Sequence, residues 1–494
     1  MTASASASGR VKALLRASAE RPRTVAAIGF VLSRVLYRVL GGFKLDPSPL
    51  YYFLQFLDPS YLETDLTRSV LSLHHQGPLL NLLVGLSLKL FGRGAFVALD
   101  FVFLALGLGA AIATADVVAR LTSRPVLAAL GAISWSASPI TVLYESWLFY
   151  PHVVASLAVI GAALLLRFVR ERTVASGVWF FSVLALIGLT RSTYGALWVG
   201  AVAVLLALVR ALPPKTLAKA AAIPVLVLAL NAAKTKAYTG HGYGDAMLWP
   251  NLSRKVFQEL PRGERTRIVK LGLVSPAVRV EPFSDLDQME PIRVPHTKTG
   301  IPALDDEHSA SGRPNGNAIE YALIAEQYYK PDARYLLSHY PKDYVSGVAR
   351  VFVDEYPRPA IDDTTLRFSP NYVRLRSVDT AIRRATLTPE SGPSIPLAVV
   401  LAAAFLFGSG ATLLASSRAS RTLRAFSAFA TLTILYVTLV TVLISWGDFP
   451  RYRYEVDALS WILLLVGGAS LVDTVKGALD ARRARSPSVA SAPS

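Results

Sequence analysis

Residues able to do acid–base or anion-binding chemistry fall in five short stretches of this chain. The first carries Asp46, Glu63 and Asp65, then His74-His75-Gln76-Gly77-Pro78. A carboxylate there could take the proton of an attacking hydroxyl, and in a helical segment Asp65 and Ser69 lie one turn apart on one face. The same charges would also suit a solvated interfacial helix. The second stretch is Tyr144-Glu-Ser-Trp-Leu-Phe-Tyr-Pro-His152. Trp147, Phe149 and Tyr150 suit the headgroup belt of any membrane protein, whereas a carboxylate at that depth, Glu145, usually faces a cavity. The third is Arg191, which ends an apolar run; it could snorkel or grip a phosphate with its planar fork. The fourth, Ser311-Gly-Arg-Pro-Asn-Gly-Asn317, has the composition of a plain turn, with Asn315 and Asn317 free to reach a ligand. The fifth, 448–457, packs Arg451, Arg453, two tyrosines and a glutamate beside Asp448, dense charge for a tight loop. No glycine-rich phosphate loop is present, which argues against a reaction driven by nucleotide triphosphate.

The elements that must hold these groups are set by composition. Of 494 residues, 52% are apolar and 17% charged, and none is cysteine; a soluble chain carries about 25% charge. Mean hydropathy is +0.41. A soluble enzyme, a disordered chain and a disulfide scaffold are excluded, as are zinc-finger and iron–sulfur sites, which need thiolates. Runs near the length of about 20 residues needed to cross a bilayer occur at 24–40, 95–119, 125–144, 151–166, 173–190, 192–209, 220–233, 391–417, 425–447 and 458–472. The fold class expected is therefore an all-α polytopic membrane protein with about ten transmembrane helices, in which 79–91 lies at the interface. Arginine and lysine concentrate in alternate turns: 120–124, 167–172, 210–219 and 418–424. That places both termini in the cytoplasm. It also makes the net charge of +17 topological rather than a nucleic-acid footprint. The domains expected are a disordered tail at 1–23 and a transmembrane module at 24–234 with an outer loop at 41–94. A small, mainly helical extracytoplasmic domain follows at 235–392, then transmembrane helices at 393–475 and a second tail at 476–494. Within the outer domain, 321–326 and 333–356 read as helices and 352–369 as a Pro- and Asp-rich loop.

The order of these features resembles the GT-C superfamily of integral-membrane glycosyltransferases, in particular the bacterial branch akin to protein O-mannosyltransferases and the aminoarabinose lipid A transferase. The resemblance rests on His74-His-Gln-Gly-Pro-Leu-Leu-Asn81 followed by Leu90-Phe-Gly92, on Ser138-Pro139 ahead of Glu145, on the large segment after the seventh span, and on the Arg451-Tyr-Arg453 turn. It covers most of 24–475 as architecture and four short stretches as motif. Gly77 departs from it, standing where the family often has the first of two prolines.

The resemblance implies a bacterial plasma-membrane enzyme that moves a sugar, with inversion, from a polyprenyl-phosphate donor to an envelope lipid, glycan or protein on the extracytoplasmic face. It implies no obligatory cofactor and no metal ligands, a divalent ion held by carboxylates being the alternative. Asp65 is then the favoured base, with Asp46 and Glu63 as rivals and Glu145 assisting. Arg191, Arg451 and Arg453 would bind the donor phosphate. His74, His75, Gln76 and Tyr150 would line the sugar site, with Asn315 and Asn317 closing over it. Such an enzyme should bring Asp46 or Asp65 to within about 10 Å of Glu145, room for one acceptor in hydrogen-bond reach of both. The competing reading is a transporter or lipid-carrier flippase built on Arg34, Arg38 and Asp100; it predicts a midplane site between related halves, and the spans show no such repeat. A non-catalytic envelope-assembly protein is a third class.

Overall fold

The structure is a computed structural model that describes residues 20–282, 284–385, 392–414, 421–447 and 449–485. Most of the two expected tails, and Asp448, lie outside the described residues. Among the described residues the chain is helical throughout and has no strand, only isolated bridges such as Asp46 to Trp147.

Six helices or helix runs are long and apolar enough to cross a membrane, and a bent pair would make a seventh, which makes this a multi-pass membrane protein. The first apolar helix, α1 (Pro22–Val35), starts with proline at its first turn and continues through a π turn, Leu36–Leu40. Its Ile28, Leu32, Leu36 and Leu40 are more than half exposed, as expected of a lipid-facing stripe. Helix α2 (Leu66–Ser72) packs on α3 (Pro78–Phe91). The latter ends at Gly92, whose φ of +49° is the left-handed geometry that stops helices; the Leu90-Phe-Gly92 motif is thus a helix stop. Helix α4 (Ala95–Thr122) follows at once, so that 78–122 forms one 45-residue run. The expected span at 125–144 is two helices, α5 (Pro125–Ser136) and α6 (Pro139–Glu145), bent by 58°. Ser138 caps α6 and Pro139 occupies its first turn, so the pair of residues that closes one helix opens the next.

Helices α7 (Tyr150–Glu171) and α8 (Val174–Thr190) form an antiparallel hairpin, followed by α9 (Ala196–Leu208) and α10 (Pro214–Thr239). The 13 residues of α9 reach only about 20 Å at 1.5 Å per residue, because the turn after Arg191 consumes 192–195. Together with the 17 residues of α8, the 14 of α1 and the bend between α5 and α6, this is why six rather than ten segments are long enough to cross alone.

The next segment folds as a helical domain around α11 (Asp245–Glu259), α12 (Lys330–His339) and α13 (Pro341–Arg350). Pro341 splits the helix expected at 333–356. Helix α14 (Pro370–Ala385) leads back to three apolar helices: α15 (Ile395–Leu414), α16 (Arg421–Leu443) and α17 (Phe449–Arg485). The last runs well past 475, where the second tail was expected to begin. The domain seats on the end of α16. There the Lys255 ammonium donates to the Val442 and Ser445 carbonyls, the Tyr344 hydroxyl donates to the Leu443 carbonyl at 3.1 Å, and Trp446 Nε1 donates to Gln258 at 2.7 Å.

Candidate functional site

Tyr150 starts α7, Arg191 follows α8 and Arg451 opens α17, so three separate chain reversals meet at one end of the bundle. The Arg191 guanidinium stands 4.6 Å from the Tyr150 ring and 3.9 Å from the Tyr452 ring; Arg451 stands 5.9 Å from each of the same rings. Both arginines are almost wholly buried. Arg191 pairs with Glu455, whose other oxygen accepts the Tyr194 hydroxyl at 2.9 Å. Arg451 lies 3.7 Å from Asp363 and donates to Thr365 at 3.3 Å. Its guanidinium also covers Phe53 and Phe149. Arg453 turns away: it donates to the Arg358 carbonyl at 2.8 Å and pairs with Asp457 at 3.1 Å. Two of the three expected phosphate-binding arginines are therefore brought together, and the third braces the 356–358 loop.

A cavity of about 200 Å³ opens beside Arg191, lined by Gln76, Ser192, Asp245, Asn251 and Tyr452 together with apolar side chains. Gln76 is fixed by its side-chain oxygen, which accepts from the Ser192 amide at 3.0 Å and the Ser192 hydroxyl at 3.2 Å. Gly77 explains the approach. A Cβ at 77 would lie 2.1 Å from the Leu189 carbonyl oxygen, so only glycine lets this loop press against the end of α8. His74 and His75 are buried and stacked, 4.1 Å between ring centres. Burial holds the His74 imidazole down to about 4 and keeps His75 well below its ordinary range. Both rings are neutral, and His74 Nε2 meets the Asn317 carbonyl at 3.0 Å.

Asn315 and Asn317 do reach this loop, but their amides are occupied by backbone. Asn317 accepts from the His74 amide at 3.2 Å, and both residues donate to the Ala303 carbonyl. Arg313 in the same turn donates to the carbonyls of Leu50, Phe53 and Phe56. The 311–317 turn is thus a clamp that joins the helical domain to the 41–94 segment.

The four carboxylates sort by environment. Asp65 caps α2, accepting from the Arg68 amide at 3.3 Å, and its side chain is 40% exposed. Glu63 is exposed. Glu145 turns into the bundle and takes a two-pronged pair from Arg34 at 2.6 and 2.9 Å. Gly107 of α4 makes room for it, since a Cβ there would meet the Glu145 carboxylate at 2.2 Å. Arg38 grips Asp100 in the same way, both bonds 2.6 Å. The charges that carried the transporter reading are therefore one another's partners or partners of Glu145. Asp46 is different. Its amide donates to the Ser146 carbonyl at 2.7 Å, so it lies beside the Glu145 turn. One carboxylate oxygen accepts from Ser48 at 3.0 Å, and the other is buried with no hydrogen bond. Arg451 and Asp46 both act on Tyr52, which burial pushes up to about 12.

Tyr452 and Glu455 belong to the 448–457 stretch marked by its density of charge, but no role falls to them from the sequence, and Asp363 and Asp245 lie outside all five stretches. Glu455 stands one helical turn after Arg451, a spacing that pairs charges and could have flagged it; Asp363 sits in a loop with no such pattern. Asp287, Glu307 and His308 lie within 4.8 Å of one another on the exposed face of the helical domain, with Glu307 already paired to Arg293 at 2.5 Å. A second cavity, of about 590 Å³, is almost wholly apolar and lies between α15 and α16, with Phe352, Phe405 and Leu435 on its walls. No protein-family model, curated protein or solved structure matches the chain.

Proposed function

We propose that this protein is a bacterial plasma-membrane glycosyltransferase of GT-C type. In this reading it has about ten membrane-crossing segments and cytoplasmic termini, and it moves a sugar from a polyprenyl-phosphate donor to an envelope acceptor. One observation carries the reading: Arg191 and Arg451, far apart in sequence, flank the same two tyrosines, and Arg191 and Tyr452 line a cavity that also holds Gln76. Buried guanidinium groups aimed at one place suit a phosphate whose charge grows as its bond to the sugar breaks. The apolar cavity between α15 and α16 suits the donor's hydrocarbon tail.

Asp46 is the carboxylate best suited to be the base, because Asp65 and Glu63 face solvent and Glu145 is locked by Arg34. The acceptor hydroxyl gives its proton to Asp46, and the oxygen attacks the anomeric carbon opposite the phosphate. The carbon–phosphate oxygen bond breaks with inversion, its electron pair leaves on the polyprenyl phosphate, and Arg191 and Arg451 turn from Glu455 and Asp363 to meet that charge. Gln76 and Tyr452 orient the sugar. No metal is required, so chelation leaves transfer intact.

The test is transfer from radiolabelled polyprenyl-phosphate sugars in membranes holding the full chain. Loss of a general base lowers rates roughly 100- to 10,000-fold, so Asp46→Asn should fall in that range. Arg451→Gln should fall as well, while Asp65→Asn and Glu63→Gln should stay near the unaltered rate. Full activity in Asp46→Asn would remove the mechanism.

A further inference from the structure

At the end of the bundle opposite the cavity, three arginines from three turns line one cleft of about 360 Å³: Arg172 between α7 and α8, Arg210 after α9, and Arg421 at the start of α16. A surplus of arginine on one side is expected of any membrane protein, so their number alone decides nothing. Their pairing does. Several arginines at this end have acids to hold. Arg23 and Arg120 share Asp116, Arg124 pairs with Asp473, and Arg167 and Arg170 reach Glu171. Arg172, Arg210 and Arg421 have no ion-pair partner among the described residues, although they face one another across a shared space. Like charges gathered without compensation repel, and an arrangement of this kind is stable when an anion fills it.

The backbone adds a second observation. Of the three non-glycine residues with positive φ among the described residues, two are Arg172 at +55° and Arg210 at +54°. Each stands just past a helix C-terminus, where a left-handed residue closes the helix, and each lines the cleft. Pro213 and Pro214 line the cleft too and begin α10, whose positive dipole end favours an anion. The surroundings identify the anion's carrier. Leu212 and Ala211 line the cleft, and Leu208 just before it is 73% exposed. An apolar rim beside a basic hollow suits a molecule with both an acyl part and a phosphate.

We propose that this cleft binds the phosphate headgroup of an acidic membrane phospholipid. The site is independent of the sugar chemistry at the other end.

The full chain, delipidated in detergent, is titrated with phosphatidylglycerol, phosphatidylcholine or inorganic phosphate, and adducts are counted by native mass spectrometry. Phosphatidylglycerol should bind and phosphatidylcholine should bind far more weakly. Each Arg→Gln change should weaken the acidic lipid about fivefold, and all three together roughly 100-fold, the effect of about one basic residue apiece at an anionic surface. Arg210→Gln alone keeps the test open if the triple variant does not fold, and Arg23→Gln should bind as the unaltered protein does. Equal binding of the two lipids, or unchanged acidic-lipid binding in both Arg210→Gln and the triple variant, would overturn the proposal. Saturable inorganic phosphate binding with no preference for phosphatidylglycerol would overturn its lipid assignment.

Discussion

Two neutral, buried histidines make the 73–77 loop sensitive to acid. The His74 imidazole titrates near 4 in the folded protein against about 6.5 in an unfolded chain. Below 6.5 the unfolded state takes up a proton that the folded state refuses until near 4, so stability is full above 6.5 and is lost as pH falls through that window. For His74 the loss amounts to about 3 kcal/mol, and His75 shifts in the same direction. Unfolding midpoints of the detergent-solubilised protein should therefore drop between pH 6.5 and 4, and should drop less in His74→Gln/His75→Gln; an identical slope in that variant would place the acid response elsewhere. Glu145 supports a second residue-scale test. Breaking its buried pair from one side, by Arg34→Met or Glu145→Leu, should cost about 3–5 kcal/mol, and changing both together much less. If Glu145 acted in chemistry rather than as Arg34's partner, the double variant would recover stability without recovering transfer. At this scale the sequence was informative about which residues are special and poor about what they touch. Glu145, Arg34, Arg38 and Asp100 were all visible as charges in apolar runs, but pairing across 111 and 62 residues depends on how helices pack, which no local pattern encodes.

Elements were legible where their signals are local. Ser138-Pro139 reads as a cap followed by a first-turn proline, yet the same pair lies inside an uncharged run that reads as one span, because hydropathy does not register direction and the break is a matter of backbone hydrogen bonding. Leu90-Phe-Gly92, quoted as a motif, is a helix stop. Gly77, a departure from the family pattern, is required by the close approach to Leu189. Gly77→Ala would force backbone against backbone, since the neighbour is a carbonyl and not a flexible side chain. We expect a loss of about 1–3 kcal/mol, the usual cost of overpacking, and displacement of Gln76 from Ser192, visible as faster hydrogen exchange at the Ser192 amide. The 311–317 turn had the composition of an ordinary turn, and nothing in it announces that Arg313 will gather three carbonyls from 50–56. Arg313→Ala should leave the helices intact and raise proteolytic cleavage in 49–57; unchanged cleavage would mean that the clamp is carried by Asn315 and Asn317.

For the molecule as a whole, the function proposed depends on which groups share a side. The structure already brings 46–76, 144–152, 190–194, the helical domain and the start of α17 to one end, and collects the turns at 172, 210 and 421 at the other. In the orientation proposed, the end with the turns at 172, 210 and 421 faces the cytoplasm, because Lys and Arg resist transfer across the bilayer during insertion. The chain has no cysteine, so single cysteines can be placed without altering a background thiol. Thr64 and Lys298 are exposed on the cavity end, and Lys215 is exposed on the other, directly after Pro214. In intact cells, with the outer membrane made permeable where one is present, a membrane-impermeant maleimide should label Thr64→Cys and Lys298→Cys at once and Lys215→Cys only after the plasma membrane is opened. Reversed labelling would turn the cavity toward the cytosol, where a lipid-linked sugar exposed to the envelope could not reach Asp46 or Arg451. Labelling of Thr64 and Lys298 from opposite sides would separate the 41–94 segment from the helical domain, and would break the clamp through Arg313 that joins them.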